Sequence, residues 1–203
     1  MAEPLPDDGR PRCSWAGGSA AERDYHDREW GNPLHDDRGL FEFIVLEGAQ
    51  AGLSWRTILD KRDNYRRAFH GFDIARVAEM RDAELEKLLR DPGIVRNRLK
   101  VFSARDNARA ALDVISASGS LDAWLWSFVG GAALLHHRQR PADVPSRSEL
   151  SDAMSKAMRK RGFRFVGSTI CYAFMQATGM VNDHLVGCFR HPDHKPPKNR
   201  NRA

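Results

Sequence analysis

The chain has 203 residues, of which 41% are hydrophobic, and it carries a formal net charge of +5 at pH 7 with only three cysteines. A chain of this length and composition can bury a core, so we expect a single domain and exclude a protein that is disordered throughout. The sequence has no apolar run near the roughly 18 residues of a membrane span and no charged leader before an apolar segment. Its cysteines are too few for a disulfide framework. We therefore expect a cytosolic (cytoplasmic) protein without a membrane anchor.

Helical periodicity dominates the chain and alternating strand patterns are scarce, which predicts an all-α fold. A first long helix carries an apolar face formed by Leu40, Phe41, Ile44, Val45 and Gly48. Ser54 can cap a second helix that ends at His70–Gly71. The spacing of this second helix places four residues on a single stripe, namely Trp55, Ile58, Leu59 and Arg62.

The middle of the chain predicts two short helices, a tight turn and a long helix. Asp73 and Asp82 are candidate N-caps of the short helices, and Asp91-Pro92-Gly93 is a turn signal. The long helix is expected from about Arg96, with an inward face formed by Leu99, Phe102, Leu112 and Ile115.

Three helices are expected toward the C-terminus. Ser120 can cap the first of them, the second is expected over 149–161, and the third is an apolar helix over 169–178 that Gly179 closes. Cys171 lies in the apolar run of the third helix, where we expect a buried structural thiol.

Positive charge is concentrated in three segments of the chain. This distribution suggests an anionic partner more strongly than the net charge of the whole chain does. The tail from Lys195 to Arg202 is basic and proline-rich, and we expect a disordered, solvated end there. Two internal clusters flank predicted turns and can be held in place by helices, so they are better candidates for phosphate contact. They consist of Arg90, Arg96, Arg98, Lys100 and Arg105, and of Lys156, Arg159, Lys160, Arg161 and Arg164.

The first cluster follows the turn at Asp91-Pro92-Gly93, so a helix, a glycine turn and a second helix succeed one another. Backbone N–H groups at the start of a helix suit a DNA phosphate, and the pattern is typical of a helix-hairpin-helix element. That element usually carries a second glycine shortly after the first, where this chain has Val95 and Arg96. A plain helix–helix connection is therefore the alternative.

Cysteine and histidine residues at the two ends of the chain form one Cys₂His₂ set, namely Cys13, His26, His184 and Cys188. Zinc accepts four such ligands tetrahedrally, and the spacing of the last pair fits one helical turn or a tight loop. A site of this kind would tie the N-terminus to the C-terminus. The spacing of the first pair is not that of a standard zinc finger, so an incidental thiol and ordinary surface histidines are the alternative.

A carboxylate stands on the apolar flank of a predicted helix at Glu47. An unpaired buried carboxylate is costly, so we expect a cationic or hydrogen-bonding partner for it. With Trp55, Tyr25 and Trp30, this glutamate could form a pocket for a flat, electron-poor ring through stacking and cation–π attraction. The alternative is that the aromatic residues belong to the core and that Glu47 forms a salt bridge.

Six ordered segments of the chain carry a resemblance to a known family: 13–15, 24–31, 46–55, 160–167, 169–172 and 181–184. Together they resemble the bacterial DNA-3-methyladenine glycosylase I family, from about Arg12 to Cys188. The resemblance implies a helix-hairpin-helix DNA glycosylase fold over 12–189, with a flexible N-terminus at 1–11 and the basic tail at 190–203.

The resemblance also implies a set of site residues. The ligands of a structural zinc ion, Zn²⁺, fall on Cys13, His26, His184 and Cys188, with Asp27 and Asp183 as candidate partners of the adjacent histidines. Base binding falls on Tyr25, Glu47 and Trp55, with Trp15 and Trp30 nearby. Family members often have a tyrosine lining the pocket three residues before Tyr25, and this chain has Glu22 there.

The implied reaction is removal of 3-methyladenine from alkylated double-stranded DNA by a monomer that flips out the base and hydrolyses its N-glycosidic bond without cutting the backbone. Glu47 is the candidate catalytic residue, and contact with the DNA backbone falls on Gly93, Arg96, Arg98 and Lys100. Two other functions are a non-catalytic DNA-binding module and a zinc hydrolase for a small molecule, which would need an open metal position.

Overall fold

The computed structural model describes residues 8–194, so the predicted basic tail from Lys195 to Arg202 lies outside the described residues. Its helices are α1 (Ala20–Arg28), α2 (Asp37–Gln50), α3 (Trp55–Leu59), α4 (Arg62–Ala68), α5 (Ile74–Ala78), α6 (Asp82–Leu88), α7 (Arg98–Ser118), α8 (Leu121–Trp126), α9 (Glu149–Lys160) and α10 (Ser168–Ala177). Short 3₁₀ helices lie at Ser14–Gly17, His70–Phe72, Ser127–Val129 and Pro141–Asp143. The mostly helical fold confirms the prediction.

One small strand pair interrupts the helical pattern of residues 8–194. Strands β1 (Leu134–Leu135) and β2 (Val181–Asn182) run parallel, with Leu134 opposite Val181. The pair brings the loop after α8 against the segment that follows α10. None of the helices in this part of the chain is both long and apolar enough to cross a membrane.

Helix α2 occupies the centre of the fold. All its residues from Leu40 to Ala49 are buried, and it packs against α3, α7, α8 and α10. A helix that is buried on all sides is stabilised by packing around its whole circumference, and any polar group on it must be accommodated inside the protein. Two glutamates, Glu42 and Glu47, are in that position.

Several of the predicted helix caps are present. Ser54 Oγ accepts a hydrogen bond from the Thr57 N–H at 3.2 Å, and Ser120 Oγ accepts one from the Ala123 N–H at 2.9 Å. Asp73 caps α5 in the same way. These side chains satisfy N–H groups that a helix start leaves unpaired, which explains why the caps were recognisable in the sequence.

The predicted second helix is wrong in its extent, because the chain breaks after Leu59 and restarts at Arg62. The break lets Arg62 turn inward, where its Nε lies 2.5 Å from Glu42 Oε1 and its Nη1 lies 2.7 Å from Glu29 Oε2. Arg62 is thus the ion-pair partner of a buried glutamate and lies on a different helix from the other three residues of the predicted stripe.

Two further boundaries differ from the prediction by one or two residues. The N-cap of α6 is Arg81, and Asp82 is the first helical residue. Helix α7 begins at Arg98 and not at Arg96, because Asn97 caps it by accepting a hydrogen bond from the Lys100 N–H at 3.1 Å.

The predicted inward face of α7 is wrong at Leu99 and Leu112, which are exposed. The buried stripe consists mostly of small residues, Val101, Ala104, Ala108, Ala111 and Val114, and it packs against α2 and α5. Small side chains allow helices to approach closely, and a prediction that ranks residues by size alone overlooks them.

Contacts join the two ends of the described chain. At the N-terminal side Arg12 forms an ion pair with Asp8 at 2.6 Å. At the other end His191 is buried, and the Phe189 N–H donates to Pro11 O at 2.8 Å. The two ends of the described chain therefore lie side by side.

Gly179 holds the end of α10 against the loop between α1 and α2. It has a φ of +72°, and a Cβ added to it would lie 2.3 Å from the Asn32 carbonyl carbon. We expect Gly179→Ala to lower the free energy of unfolding by more than about 3 kcal/mol, because the new methyl group would collide with backbone atoms. Urea-induced unfolding measures this change.

Gly119 provides the matched control for this substitution. Its φ is +86°, but no atom lies within 4 Å of an added Cβ. Gly119→Ala should therefore cost only about 1 kcal/mol, the conformational term alone. Equal losses in the two variants would show that the close approach at Gly179 is unimportant.

Candidate active site and metal centre

A cavity of about 420 Å³ opens beside the 3₁₀ helix at Ser14–Gly17. Six elements line it: the first 3₁₀ helix, α1, the end of α2, the start of α3, the 3₁₀ helix at Pro141–Asp143 and α10. The five residues that the family resemblance assigned to base binding or placed nearby all lie on its wall, namely Trp15, Tyr25, Trp30, Glu47 and Trp55. Glu22 lines the cavity as well.

Aromatic rings form much of this wall. The ring centroids of Tyr25 and Trp55 are 5.3 Å apart, and those of Trp15 and Trp30 are 5.2 Å apart. Burial raises the pKa of Tyr25 well above its usual value, so this phenol stays neutral. Trp15 is 37% exposed and therefore lies at the rim. The arrangement offers flat apolar surfaces to a flat ligand.

Glu47 brings an unpaired carboxyl group to the same cavity. The residue is 3% exposed, and its Oε2 has no hydrogen-bond partner among residues 8–194. Burial raises the pKa of Glu47 to about 8. The expected cationic or hydrogen-bonding partner for this oxygen is absent from the described chain. The inward-facing Arg62 is bound to Glu29 and Glu42.

Trp55 contributes a second unsatisfied group, because its Nε1 is buried without a hydrogen-bond partner in the described chain. Leaving a buried donor or acceptor unpaired costs about 1–3 kcal/mol. A donor and an acceptor left free around one cavity indicate that a ligand supplies their partners.

The four predicted metal ligands converge at one point beside the cavity. Their ligand atoms lie within 4.8 Å of one another, and all four residues are buried. Cys188 Sγ is 3.3 Å from His26 Nε2 and 3.6 Å from His184 Nδ1, and Cys13 Sγ is 3.7 Å from the same His184 nitrogen. These separations match the edges of a tetrahedron around a metal ion with bonds of about 2.0–2.3 Å.

Hydrogen bonds set which nitrogen of each histidine faces the cluster. His26 Nδ1 lies 2.8 Å from Asp27 Oδ1, as expected, and Arg12 holds that carboxylate from the other side. His184 Nε2 lies 3.0 Å from the Trp30 carbonyl oxygen. Each histidine thus uses one nitrogen as a donor away from the cluster and directs the other at the cysteine sulfur atoms, an arrangement that is usual for metal ligands.

The expectation for Asp183 was wrong. Its carboxylate accepts hydrogen bonds from Tyr172 Oη at 2.6 Å and from Gln176 Nε2 at 2.9 Å, and it lies 2.6 Å from His136 Nδ1. His184 has the Trp30 carbonyl as its partner instead. Asp183, which follows β2 and lines the cavity, therefore connects this segment to α10 and to His136 in the loop after β1.

A second group of potential ligands, His137, His191 and Asp193, does not form a metal site. His191 Nε2 lies 3.1 Å from the His136 carbonyl oxygen, and its Nδ1 accepts a hydrogen bond from the Asp193 N–H at 3.1 Å. Both of its nitrogens are therefore engaged, so it has no lone pair free for a metal.

Sequence reasoning missed part of the cavity wall. Gln50, Pro141, Val144, Ala173 and Leu185 also line it. These residues are spread over α2, the 3₁₀ helix at Pro141–Asp143, α10 and two loops, and only Gln50 stands in one of the segments that carry the family resemblance. Only the packing of these elements brings them together.

The predicted DNA-contact residues lie around the α6–α7 connection. Gly93 approaches Asn64 so closely that an added Cβ would lie 2.8 Å from the amide group, and Arg96 is exposed. Arg98 pairs with Glu86 at 2.7 Å. Lys100 is directed inward, with its Nζ 2.8 Å from the Ala49 carbonyl oxygen and 2.6 Å from that of Ala51.

Comparison with known proteins identifies one family. The model of the methyladenine glycosylase family matches residues 15–191. DNA-3-methyladenine glycosylase 1 of Escherichia coli (strain K12) is 48% identical over 185 residues, which cover 91% of this chain and 99% of that protein.

Two solved structures are similar over the same extent. A crystal structure of 3-methyladenine DNA glycosylase I has a TM-score of 0.88 at 49% identity and covers 90% of this chain and 100% of its own. A tyrosine-to-phenylalanine variant of 3-methyladenine DNA glycosylase I in complex with 3-methyladenine has a TM-score of 0.85 at 31% identity and covers 91% and 98%.

The raised pKa of Glu47 makes the stability of the ligand-free protein depend on pH. The folded state holds the Glu47 proton up to about pH 8, whereas an unfolded glutamate loses it near 4.5. The folded state therefore binds more protons than the unfolded state between these values, and the free energy of unfolding falls as pH rises through them.

Glu47→Gln is neutral at every pH and removes this dependence. We expect the variant to be similar to the wild type in stability near pH 4.5 and to exceed it by roughly 2–5 kcal/mol near pH 8. Urea unfolding of both proteins at a series of pH values measures the difference. Parallel stability curves for the two proteins would contradict the burial of an unpaired carboxyl group.

Proposed function

The chain belongs to the methyladenine glycosylase family, and we propose on this basis that it is a DNA repair glycosylase that releases 3-methyladenine from alkylated DNA. The observation that carries the proposal is the aromatic cavity with the unpaired carboxyl group of Glu47 on its wall. A base methylated at N3 within DNA is flat and positively charged, and both properties complement this cavity.

Charge is the basis of the proposed selectivity. Stacking on Tyr25 and Trp55 is open to any base, whereas the carboxylate of Glu47 attracts a cationic base in a site of low dielectric. A cation that enters the cavity supplies the partner that Glu47 lacks and favours its ionised form. Neutral adenine offers no such compensation and should bind weakly.

The reaction requires the base to leave the DNA stack. Turning the nucleotide out of the duplex costs a few kcal/mol, and the cavity repays this cost only for a base that fits it. The charged base is a good leaving group, so water can attack C1′ of the deoxyribose with limited assistance. Glu47 acts by recognising the base and stabilising developing charge, and the products are the free base and an abasic site.

No lysine lines the described cavity, which supports a reaction without a Schiff-base intermediate. The enzyme would then be monofunctional and would leave the DNA backbone intact. Because the chain has a basic turn at the α6–α7 connection, we propose a helix-hairpin-helix role for this region on double-stranded DNA, with Gly93, Arg96 and Arg98 against the phosphates.

We also propose that Cys13, His26, His184 and Cys188 bind zinc. Two thiolates and two imidazoles are the donor set of structural zinc sites, and four protein ligands leave no position for a reacting water. This argues against a zinc hydrolase. The ion would join the segment around Cys13 to the segment around Cys188, beside the cavity. Cysteines that form no disulfide bond fit a reducing cytoplasm.

The proposed reaction is tested by base release from methylated duplex DNA, with 3-methyladenine and 7-methylguanine resolved. The wild type should release 3-methyladenine without strand cleavage. In Glu47→Gln the release rate should fall at least about tenfold, because the amide keeps the shape of the side chain and removes its charge.

Glu42→Gln is the matched control. It alters a second buried glutamate of α2, which is bound to Arg62 and does not line the cavity. At a temperature where circular dichroism shows all proteins folded, it should release the base at the wild-type rate. A folded wild type that binds duplex DNA but releases nothing would favour the non-catalytic DNA-binding module.

The metal proposal is tested by zinc analysis and thermal unfolding. The wild type should contain about one zinc per chain, and Cys188→Ser should lose it and unfold at a lower temperature, because metal binding contributes directly to folding. Cys171→Ser removes the remaining buried thiol, which lies outside the cluster, and should retain zinc. A metal-free wild type whose unfolding is unaffected by a chelator would refute the proposal.

A further inference from the structure

The ammonium group of Lys100 lies between the α6–α7 connection and the cavity. Lys100 belongs to the first turn of α7, and its Nζ donates hydrogen bonds to the carbonyl oxygens of Ala49 and Ala51. We propose that Lys100 is a positioning residue that fixes the α2–α3 turn and thereby the base pocket, and that it is not a contact to DNA phosphate. This inference rests on the proposed glycosylase function.

The two carbonyl groups are ones that the end of α2 leaves without helical partners. Ala49 lies in the last turn of α2, and Ala51 is its C-cap residue. The C-terminus of a helix carries partial negative charge, so a lysine at this point is favourable both as a donor and as a charge. Two of the three donors of the ammonium are used in this way.

The turn that Lys100 holds connects two pocket residues. Glu47 lies two residues before Ala49, and Trp55 lies four residues after Ala51, and both line the cavity. The position of the indole relative to the carboxyl group therefore depends on the path of the chain between them.

That path has little packing of its own. Residues 52–54 are exposed, and Gly52 has a φ of +80° with no atom within 4 Å of an added Cβ. A hydrogen bond from the Leu53 N–H to Gln50 O spans the turn from within, and Ser54 caps the next helix. Lys100 adds two hydrogen bonds to this turn from a different part of the fold, the first turn of α7.

The same geometry distinguishes Lys100 from its neighbours in the basic cluster. Arg96 is exposed and Arg98 is 60% exposed at its side chain, whereas the Lys100 ammonium is directed at main-chain oxygens of the protein. Burial lowers the pKa of Lys100, in agreement with an ammonium partly withdrawn from water. A lysine held in this way fixes the distance between the start of α7 and the turn that leads to Trp55.

The experiment compares Lys100→Met with Arg96→Met, which removes one charge from the same region. Three quantities are measured: the affinity for free 3-methyladenine by tryptophan fluorescence, the single-turnover rate of base release, and the salt dependence of binding to undamaged duplex. For Lys100→Met we expect about a tenfold loss in base affinity and in release rate, with the salt dependence unchanged. For Arg96→Met we expect weaker duplex binding and a salt slope lower by about one.

A result in which Lys100→Met reproduces the pattern of Arg96→Met would overturn the proposal, because it would make Lys100 a phosphate contact. The absence of base release in the wild type would contradict the proposed function instead.

A measurement on the wild type covers the case in which Lys100→Met does not fold. Reductive methylation followed by mass spectrometry should modify Lys100 slowly, both with and without duplex DNA, and should modify the exposed Lys156 rapidly in the free protein. Fast modification of Lys100 that slows when DNA is added would overturn the proposal, whether or not the protein releases bases.

Discussion

The burial of α2 on every side is the constraint on which the rest of the structure depends, and its two glutamates meet that constraint in opposite ways. Glu42 is neutralised by Arg62, and the break between α3 and α4 places the arginine where it can form this pair. Glu47, five residues later, has an oxygen without any partner in the described chain. The first glutamate pairs within the fold, and the second leaves an oxygen that a bound ligand can satisfy.

The metal cluster and the cavity are built from the same stretches of chain. Cys13 lies two residues before Trp15, and His26 directly follows Tyr25. The His184 ring lies against the Trp30 ring, with centroids 4.6 Å apart. The contact between His184 Nε2 and the Trp30 carbonyl oxygen fixes the orientation of the imidazole. A metal held by the four ligands would therefore fix three aromatic residues of the pocket wall without entering the reaction.

The α2–α3 turn is the third element that shapes the pocket. The cluster and its neighbours determine one wall, and the burial of α2 determines the depth of the carboxyl group. Trp55 follows a short exposed turn, and the Lys100 ammonium of α7 donates hydrogen bonds to the carbonyl groups of Ala49 and Ala51 at its start. The cavity wall thus combines elements that packing positions with a turn that hydrogen bonds position.

Much of the secondary structure and of the candidate metal site could be predicted from short segments of the sequence. The helical class, the caps at Ser54, Asp73 and Ser120, the burial of Cys171 and the Cys₂His₂ set follow from periodicity, capping and ligand type, which are properties of short segments. The tertiary structure alone decided the break before Arg62, the small-residue face of α7, the partners of Asp183 and the inward direction of Lys100. Each of these depends on which distant side chain or carbonyl group lies opposite, and contacts between distant segments are not encoded in any local pattern.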